Sequence, residues 1–357
     1  MVSNRRSISK FLLVIATVAV VILYLEFNQN SLKFRNGVKN YVPISAWASE
    51  KDDLVQRTLL YQQNKDMIEC RGRKQKIIRN IFSRDQEGWY ENRNVCDACF
   101  DFPHITLQTN YGPTPIFIYT KDQDLVISKV LRTRGSFESK KQLMLSKMIE
   151  DDPELQIIDI GANIGVYTLS FAKAGRKVLA VEALYTNLQH LCASVMEGGL
   201  QDNVYLIHNA ISNENTLVNL GMDKNNMGGT FVDVDSSHIK NLKEGRAQGT
   251  YGHVYTITMD DLLDLPVMQY FQNVVIKMDI EGFEDRAIEK ATRFFEKINV
   301  KGFIMEWVFH RQHPTAKKII DFMTARNYKP YKCDMNKMPL NVSRSDQWGL
   351  DIFWLPN

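Results

Sequence analysis

Two acids separated by one residue, Asp279 and Glu281, follow the apolar run Val274–Met278 and precede Gly282. Carboxylates at the end of a buried strand are costly to keep unless they do chemistry. They suit taking a proton from a hydroxyl group, with Asp279 the first choice for the base. Together with Glu306 they also suit holding a divalent ion, although spacing alone secures no further ligand and no metal is assigned. A second constellation lies upstream, in Asp159-Ile160-Gly161-Ala162-Asn163-Ile164-Gly165. It reads as a buried strand breaking into a Gly-rich turn that opens a helix. Glycines there let backbone approach a ligand where a side chain would clash. Glu182 closes the next apolar run, Lys177–Val181, where a carboxylate can hold two ribose hydroxyls at once. Gly-x-Asn-x-Gly lacks the third glycine of the dinucleotide fingerprint. Asp159 ahead of the turn favours an ammonium group over phosphates. Ribose plus ammonium points to S-adenosylmethionine (SAM).

These residues need a scaffold that brings strand ends together. After Pro153, apolar strand-like runs alternate with helical ones, which predicts a parallel sheet wrapped by helices. The expected strands are Gln156–Ile160, Lys177–Val181, Val204–Ile207, Val274–Met278 and Gly302–Met305, then Lys329–Cys333 and Leu350–Leu355 as an antiparallel hairpin at the sheet edge. Ligands of open α/β sheets bind beyond the C-terminal strand ends. There the third strand carries Asn209, placed to meet an adenine edge or to bond its own turn. The fifth carries Glu306, with His310 and His313 in the loop beyond; His310 or His313 is the second choice for the base, unless both are surface residues. Asp260 and Asp261 in Thr-Met-Asp-Asp-Leu-Leu read as a helix start. Upstream, Pro115–Tyr119 suggests a strand and Ser139–Ile149 an amphipathic helix stopped by Asp151-Asp152-Pro153.

With 44 basic and 41 acidic side chains in 357 residues, the charge balance does not point to nucleic acid. The basic cluster Arg71–Arg84 has few aromatic neighbours and reads as a solvated helix face. Arg5, Arg6 and Lys10 precede the apolar run Phe11–Leu25, which has no small pair at a cleavage position. The expectation is a cytosolic tail (1–10), a single transmembrane signal-anchor (11–25), a polar stem (26–68), an N-terminal extension of the lumenal domain (69–150) and a catalytic domain (151–357). That is a type II protein of the Golgi or ER membrane. Five cysteines suit an oxidising lumen. Cys96-Asp97-Ala98-Cys99 has no second pair to complete a zinc site. A disulfide between Cys70 and one of Cys96 and Cys99 is expected, with Cys192 a buried apolar filler. The sequon Asn341-Val342-Ser343 agrees with a lumenal address.

Asp-Ile-Gly-Ala-Asn-Ile-Gly, Val-Glu-Ala, Asn-Ala-Ile-Ser, Thr-Met-Asp-Asp-Leu-Leu and Lys-Met-Asp-Ile-Glu-Gly-Phe-Glu occur in this order from about residue 155 to 307. In order and spacing they resemble the FkbM-type methyltransferase family, most specifically through Lys-x-Asp-x-Glu-Gly. The resemblance implies a Rossmann-like seven-stranded methyltransferase sheet, mostly parallel with a C-terminal antiparallel hairpin. It implies methyl transfer from SAM to a hydroxyl oxygen, often on a sugar. Carried over, Asp159, Gly161, Asn163, Gly165 and Glu182 bind the cofactor, while Asp279 and Glu281 border the acceptor. Ala183 stands where the family usually has proline, which loosens the turn but leaves the carboxylate. The leading expectation is an O-methyltransferase acting on glycan hydroxyls. The alternatives are a lipid or small-metabolite acceptor, and a binding protein that keeps the fold without catalysis.

Overall fold

The computed structural model describes residues 67–70, 73–223, 226–232 and 252–357. The expected anchor at 11–25 and nearly all of the stem lie outside them. Among the described residues, no helix is long and apolar enough to cross a membrane.

Nine strands form the main sheet: β1 (Ile81–Asp85), β2 (Gly88–Glu91), β3 (Gln156–Ile160), β4 (Val178–Val181), β5 (Val204–Ile207), β6 (Asn273–Met278), β7 (Asn299–Glu306), β8 (Tyr328–Lys332) and β9 (Asp351–Pro356). Their spatial order is β8-β9-β7-β6-β3-β4-β5-β1-β2. β9 runs antiparallel between β7 and β8, so the expected C-terminal hairpin closes that edge. The central strands pair in parallel. Strands covered on both faces read as continuous apolar runs rather than alternating ones, which is why they were legible in sequence. Successive residues still part company: Ile158 and Ile160 enter one core, and Ile157 enters the other.

The helices are α1 (Ile127–Arg134), α2 (Ser139–Asp151), α3 (Val166–Lys173), α4 (Tyr185–Glu197), α5 (Glu284–Glu289), α6 (Thr292–Lys297) and α7 (Thr315–Thr324). Residues of α2, α3 and α4 fill one core, and residues of α5, α6 and α7 fill the other. Asp260 accepts from Phe294 N and Arg293 N, so it caps the start of α6, while Asp261 accepts from Thr258.

Three expectations need correction. The sheet has nine strands rather than seven, because β1 of the N-terminal extension pairs in parallel with β5 (Ile81 opposite Leu206, Phe82 opposite Ile207). Buried Ile81 and Phe82 cover what would have been an open edge. Cys192 is not a filler. It pairs with Cys96 and ties the extension to α4, while Cys70 pairs with Cys99 as one of the expected alternatives. A further small sheet lies between β5 and β6, from Ala210–Ile211, Leu217–Asp223, Asn226–Val232 and His253–Ile257. Its short strands are interrupted by Asn, Gly and Thr, and Leu220 and Val232 pack with Leu184 and Phe283 beside the strand ends.

Candidate functional site

Strand order reverses between β3 and β6, and a cleft opens there beyond the C-terminal ends of the central strands. Its floor is the Gly161–Asn163 turn with Glu182, Asp279, Glu281 and Glu306. The extension supplies one wall through Val126, Ile127 and Phe137. The small inserted sheet supplies the other through Leu220, Phe231 and Val232.

At the β3–β4 end the turn is held by protein contacts. Gly161 N and Ala162 N both donate to Val181 O. A Cβ on Gly161, at φ +74°, would lie 1.9 Å from the Asp279 carbonyl oxygen, and one on Gly165, at φ +95°, would lie 2.2 Å from Leu191 Cδ1. Gly161 is therefore required by the packing of the protein on itself, whatever ligand also approaches it, and Gly165 chiefly by its left-handed backbone. Asn163 N donates to Glu182 Oε2 at 2.7 Å, and Leu184 N and Asn187 Nδ2 donate to Oε1 at 2.8 and 3.2 Å. Burial pushes the Glu182 carboxyl up, and these three donors pull it back. A carboxylate has about four acceptor sites, so Oε1 is filled and Oε2 keeps one. Glu182 thus has room for one ribose hydroxyl rather than the two expected.

The β6–β7 end is acidic. The Asp279 side chain is 36% exposed and reachable from the cleft. Glu281 sits in the left-handed region at φ +59°, followed by Gly282 at +99°. Glu306 Oε2 is buried, and the Glu306 carboxyl shares a hydrogen bond with Asp279. Burial, then the charges of Asp279, Glu281 and Glu284, push the Glu306 carboxyl well above the usual carboxylate range. The shift favours the protonated Glu306 carboxyl, which in that form donates to Asp279. Among the described residues no group of three or more His, Cys, Asp or Glu is arranged to hold a metal ion.

Four sequence candidates take other positions. Asp159 is fully buried and does not line the cleft. Its Oδ2 accepts from Thr168 N and Oγ1, capping the first turn of α3, and its Oδ1 lies 3.7 Å from Lys277 Nζ. It is thus not placed to receive a ligand ammonium. Asn209 lines the cleft, but its Oδ1 accepts from Arg84 N and its Nδ2 donates to Arg84 O and Tyr255 O. Both amide hydrogens are spent on joining three chain segments, leaving none for an adenine edge. His310 is fully buried, between Glu284 Oε2 at 2.9 Å and Thr315 Oγ1 at 2.8 Å. His313 Nδ1 meets the same Thr315 hydroxyl at 3.0 Å, and neither histidine lines the cleft. Glu284 Oε1 in turn accepts from Ile280 N, so His310 supports the loop that carries Asp279 and Glu281.

Three cleft residues escaped the sequence reading. Lys277 Nζ donates to Gly161 O at 2.7 Å and lies 3.7 Å from Asp279 Oδ2. Burial opposes its charge, but Asp279 and Asp159 more than offset this and raise its pKa. Tyr167 donates to Glu138 Oε2 at 2.7 Å, and Lys141 bridges Glu138 and Asp351. Lys277 was legible only as the first letter of Lys-x-Asp-x-Glu-Gly. Tyr167 and Glu138 meet across 29 residues, and no local pattern marks them.

The donor set fits SAM: one open carboxylate site for a ribose hydroxyl, apolar walls for a flat base, and acids at the far end for cationic groups. Residues 159–330 match the family model described as the methyltransferase FkbM domain. No curated protein matches the chain. Among solved structures, a precorrin-6y C5,15-methyltransferase from Geobacter metallireducens GS-15 is similar at 13% identity and TM-score 0.29, over 60% of this chain and 83% of that one. An O-methyltransferase from Bacillus cereus, in complex with SAH, gives 10% identity and TM-score 0.30, over 66% and 98%. A SAM-dependent methyltransferase from Agrobacterium tumefaciens gives 11% and 0.33, over 86% and 80%.

Proposed function

With residues 159–330 forming an FkbM-type methyltransferase domain, we propose that the protein is a SAM-dependent O-methyltransferase acting on a hydroxyl of a sugar on a glycan in the secretory pathway. One observation carries this reading. A ribose-competent carboxylate, Glu182, and an accessible carboxylate, Asp279, line the same cleft. Glu182, Gly161 and Asn163 would hold the cofactor. SAM supplies an activated methyl group whose sulfonium loses its charge on transfer.

Asp279 takes the acceptor hydroxyl's proton, because a neutral alcohol is a poor nucleophile. Lys277 fixes the Gly161 carbonyl and stands beside Asp279, so one buried cation positions both ends of the cleft. The walls from the extension and the inserted sheet flank the reacting groups and limit water.

A glycan acceptor is favoured by the lumenal address, which rests on the basic-then-apolar start of the chain. It is supported by two disulfides, bonds that persist in oxidising compartments. The apolar wall residues Val126, Ile127 and Phe137 favour a second reading, an acceptor with a lipid portion. Carbonate-washed Golgi and ER membranes carrying the full chain, given labelled SAM with glycan and lipid panels, test both. Label on glycans from the washed membranes supports the leading reading, and label on lipids alone selects the second. No SAM-dependent label anywhere leaves a non-catalytic binding protein. Activity lost in the wash removes the anchor.

A further inference from the structure

Of the three donors to Glu182, Asn163 N and Leu184 N are backbone groups whose place the chain fixes. The third, Asn187 Nδ2, belongs to a side-chain amide that can turn about its last bond. Turned over, that amide would set Oδ1 against Glu182 Oε1, acceptor against acceptor. The N-terminal extension supplies the group that prevents this. The Tyr119 hydroxyl contacts Asn187 Oδ1 at 2.7 Å and stands 3.1 Å from Thr186 Oγ1. An amide oxygen only accepts, so the hydroxyl donates its single hydrogen to Asn187. Burial pushes the Tyr119 hydroxyl up, so it keeps that hydrogen. Asn187 belongs to the cleft lining, whereas Tyr119 is buried behind it. The Tyr119 ring is itself held, packing at 4.1 Å on His190, which also stacks at 3.8 Å on Phe102 of the extension. Asn187 and His190 lie on α4, and so do Cys192 and Ser194. The Cys96–Cys192 bond and the hydrogen bond from Phe117 N to Ser194 Oγ fasten the extension to that same helix.

Resting on the methyltransferase reading, we propose that Tyr119 is a positioning residue of the cofactor site. Its hydroxyl locks the Asn187 amide with Nδ2 toward Glu182, so that the carboxylate keeps the orientation in which Oε2 receives a ribose hydroxyl. Cofactor affinity therefore depends on the extension, which lies outside the matched methyltransferase segment 159–330. Without the hydroxyl, Asn187 Oδ1 is left buried and unpaired, a costly state that turning the amide relieves. Glu182 Oε1 then loses a donor and faces an acceptor. The carboxylate must rotate away or take a proton, and either change spoils the open Oε2 site. Phenylalanine at position 119 would keep the ring against His190 and remove only the hydroxyl. A ligand lacking the hydroxyl that Glu182 holds has nothing to lose by that change.

The test is calorimetry on the full chain with S-adenosylhomocysteine and its 2′-deoxy and 3′-deoxy forms. The deoxy form that lacks the hydroxyl held by Glu182 should bind wild type about tenfold more weakly than the parent. Tyr119→Phe should bind the parent about tenfold more weakly than wild type does, yet bind that deoxy form equally well. Adding Tyr119→Phe to Asn187→Ala should cost nothing further, because the hydroxyl acts through the amide. Asn187→Ala alone should show the same selective loss, which keeps the test decisive if Tyr119→Phe does not fold. The inference is overturned if Tyr119→Phe binds the parent as tightly as wild type, or if Asn187→Ala shows no selective loss. It is equally overturned if Tyr119→Phe weakens all three ligands alike, the mark of a merely structural role. Wild type that binds all three alike would remove the ribose contact, and the inference with it. Absence of S-adenosylhomocysteine binding to wild type would instead defeat the methyltransferase reading itself.

Discussion

The two ends of the cleft are built on opposite principles. At the β3–β4 end the polar groups find their partners within the protein. Glu182 accepts three donors, and the Gly-rich turn hangs from Val181 O. Even Asn163, at φ +54°, has a residue type that tolerates this conformation, and its own Oδ1 accepts from Ile164 N. At the β6–β7 end, Glu281 occupies the left-handed region without that advantage, and Glu306 shares a hydrogen bond with Asp279 among other acids that push its carboxyl up. Strained backbone persists where surrounding structure over-determines it, and it concentrates where chemistry uses it. A satisfied end is pre-organised to bind a ligand whose charge it does not change. A frustrated end is prepared to move a proton.

The largest expected effect breaks that division if it is wrong. Asp279→Asn keeps the side-chain shape but removes the proton acceptor. Turnover should fall by roughly 10²–10⁴-fold while SAM affinity stays within about threefold of wild type. Steady-state rates with the true acceptor and calorimetry with SAM give the two readings. A variant with near-normal turnover would leave Asp279 no role as base, and the acidic end would need another explanation.

Glu182→Ala should show the reverse pattern at the other end. SAM binding weakens by about 1–3 kcal/mol, the loss of a charge-assisted hydrogen bond. The melting temperature should fall as well, because Asn163 N and Leu184 N lose their acceptor. Turnover at saturating SAM should change far less than in Asp279→Asn. If Glu182→Ala instead lost turnover with unchanged affinity, the ribose assignment would be wrong.

What the sequence disclosed follows the same division. Strands buried on both faces form continuous apolar runs, so Gln156–Ile160 and Val204–Ile207 were read with their observed bounds. Glu182 and Asp279 were legible because each directly follows such a run. Partners joined across long separations were not. Asp159 carries the same local signal as Glu182, yet the Thr168 cap and Lys277 withdraw it from the cleft, and neither contact has a sequence signature. The Cys96–Cys192 bond crosses 96 residues, and the apolar face of α4 disguised Cys192 as core. His310 has the residue type of a base, but Glu284 and Thr315 occupy both of its nitrogens. The basic cluster Arg71–Arg84, read as a helix face, instead holds the strands Arg73–Lys76 and β1, and β1 was missed because Arg79 and Asn80 interrupt its apolar lead-in and its burial depends on β5 lying beside it.

The smallest expected effect sharpens the contrast through pH. The folded chain holds the Glu306 carboxyl well above the usual range, chiefly by burial, whereas in the unfolded chain it titrates near about 4.3. Between those two values the folded state keeps a proton that the unfolded state has released. Stability must therefore fall as pH rises across that window. Asp159, Glu182 and Asp351 are shifted in the same direction, so the wild-type slope is not due to Glu306 alone. The difference between wild type and Glu306→Gln isolates it. Thermal melts of the ligand-free proteins from pH 4 to 8 should give curves that run together at the acid end and separate as pH rises. The variant should become the more stable by on the order of a few degrees, because its amide has no proton to lose. Curves that stay parallel across the range would mean that Glu306 titrates as an ordinary carboxyl, and the β6–β7 end would then store no charge stress for a ligand to relieve.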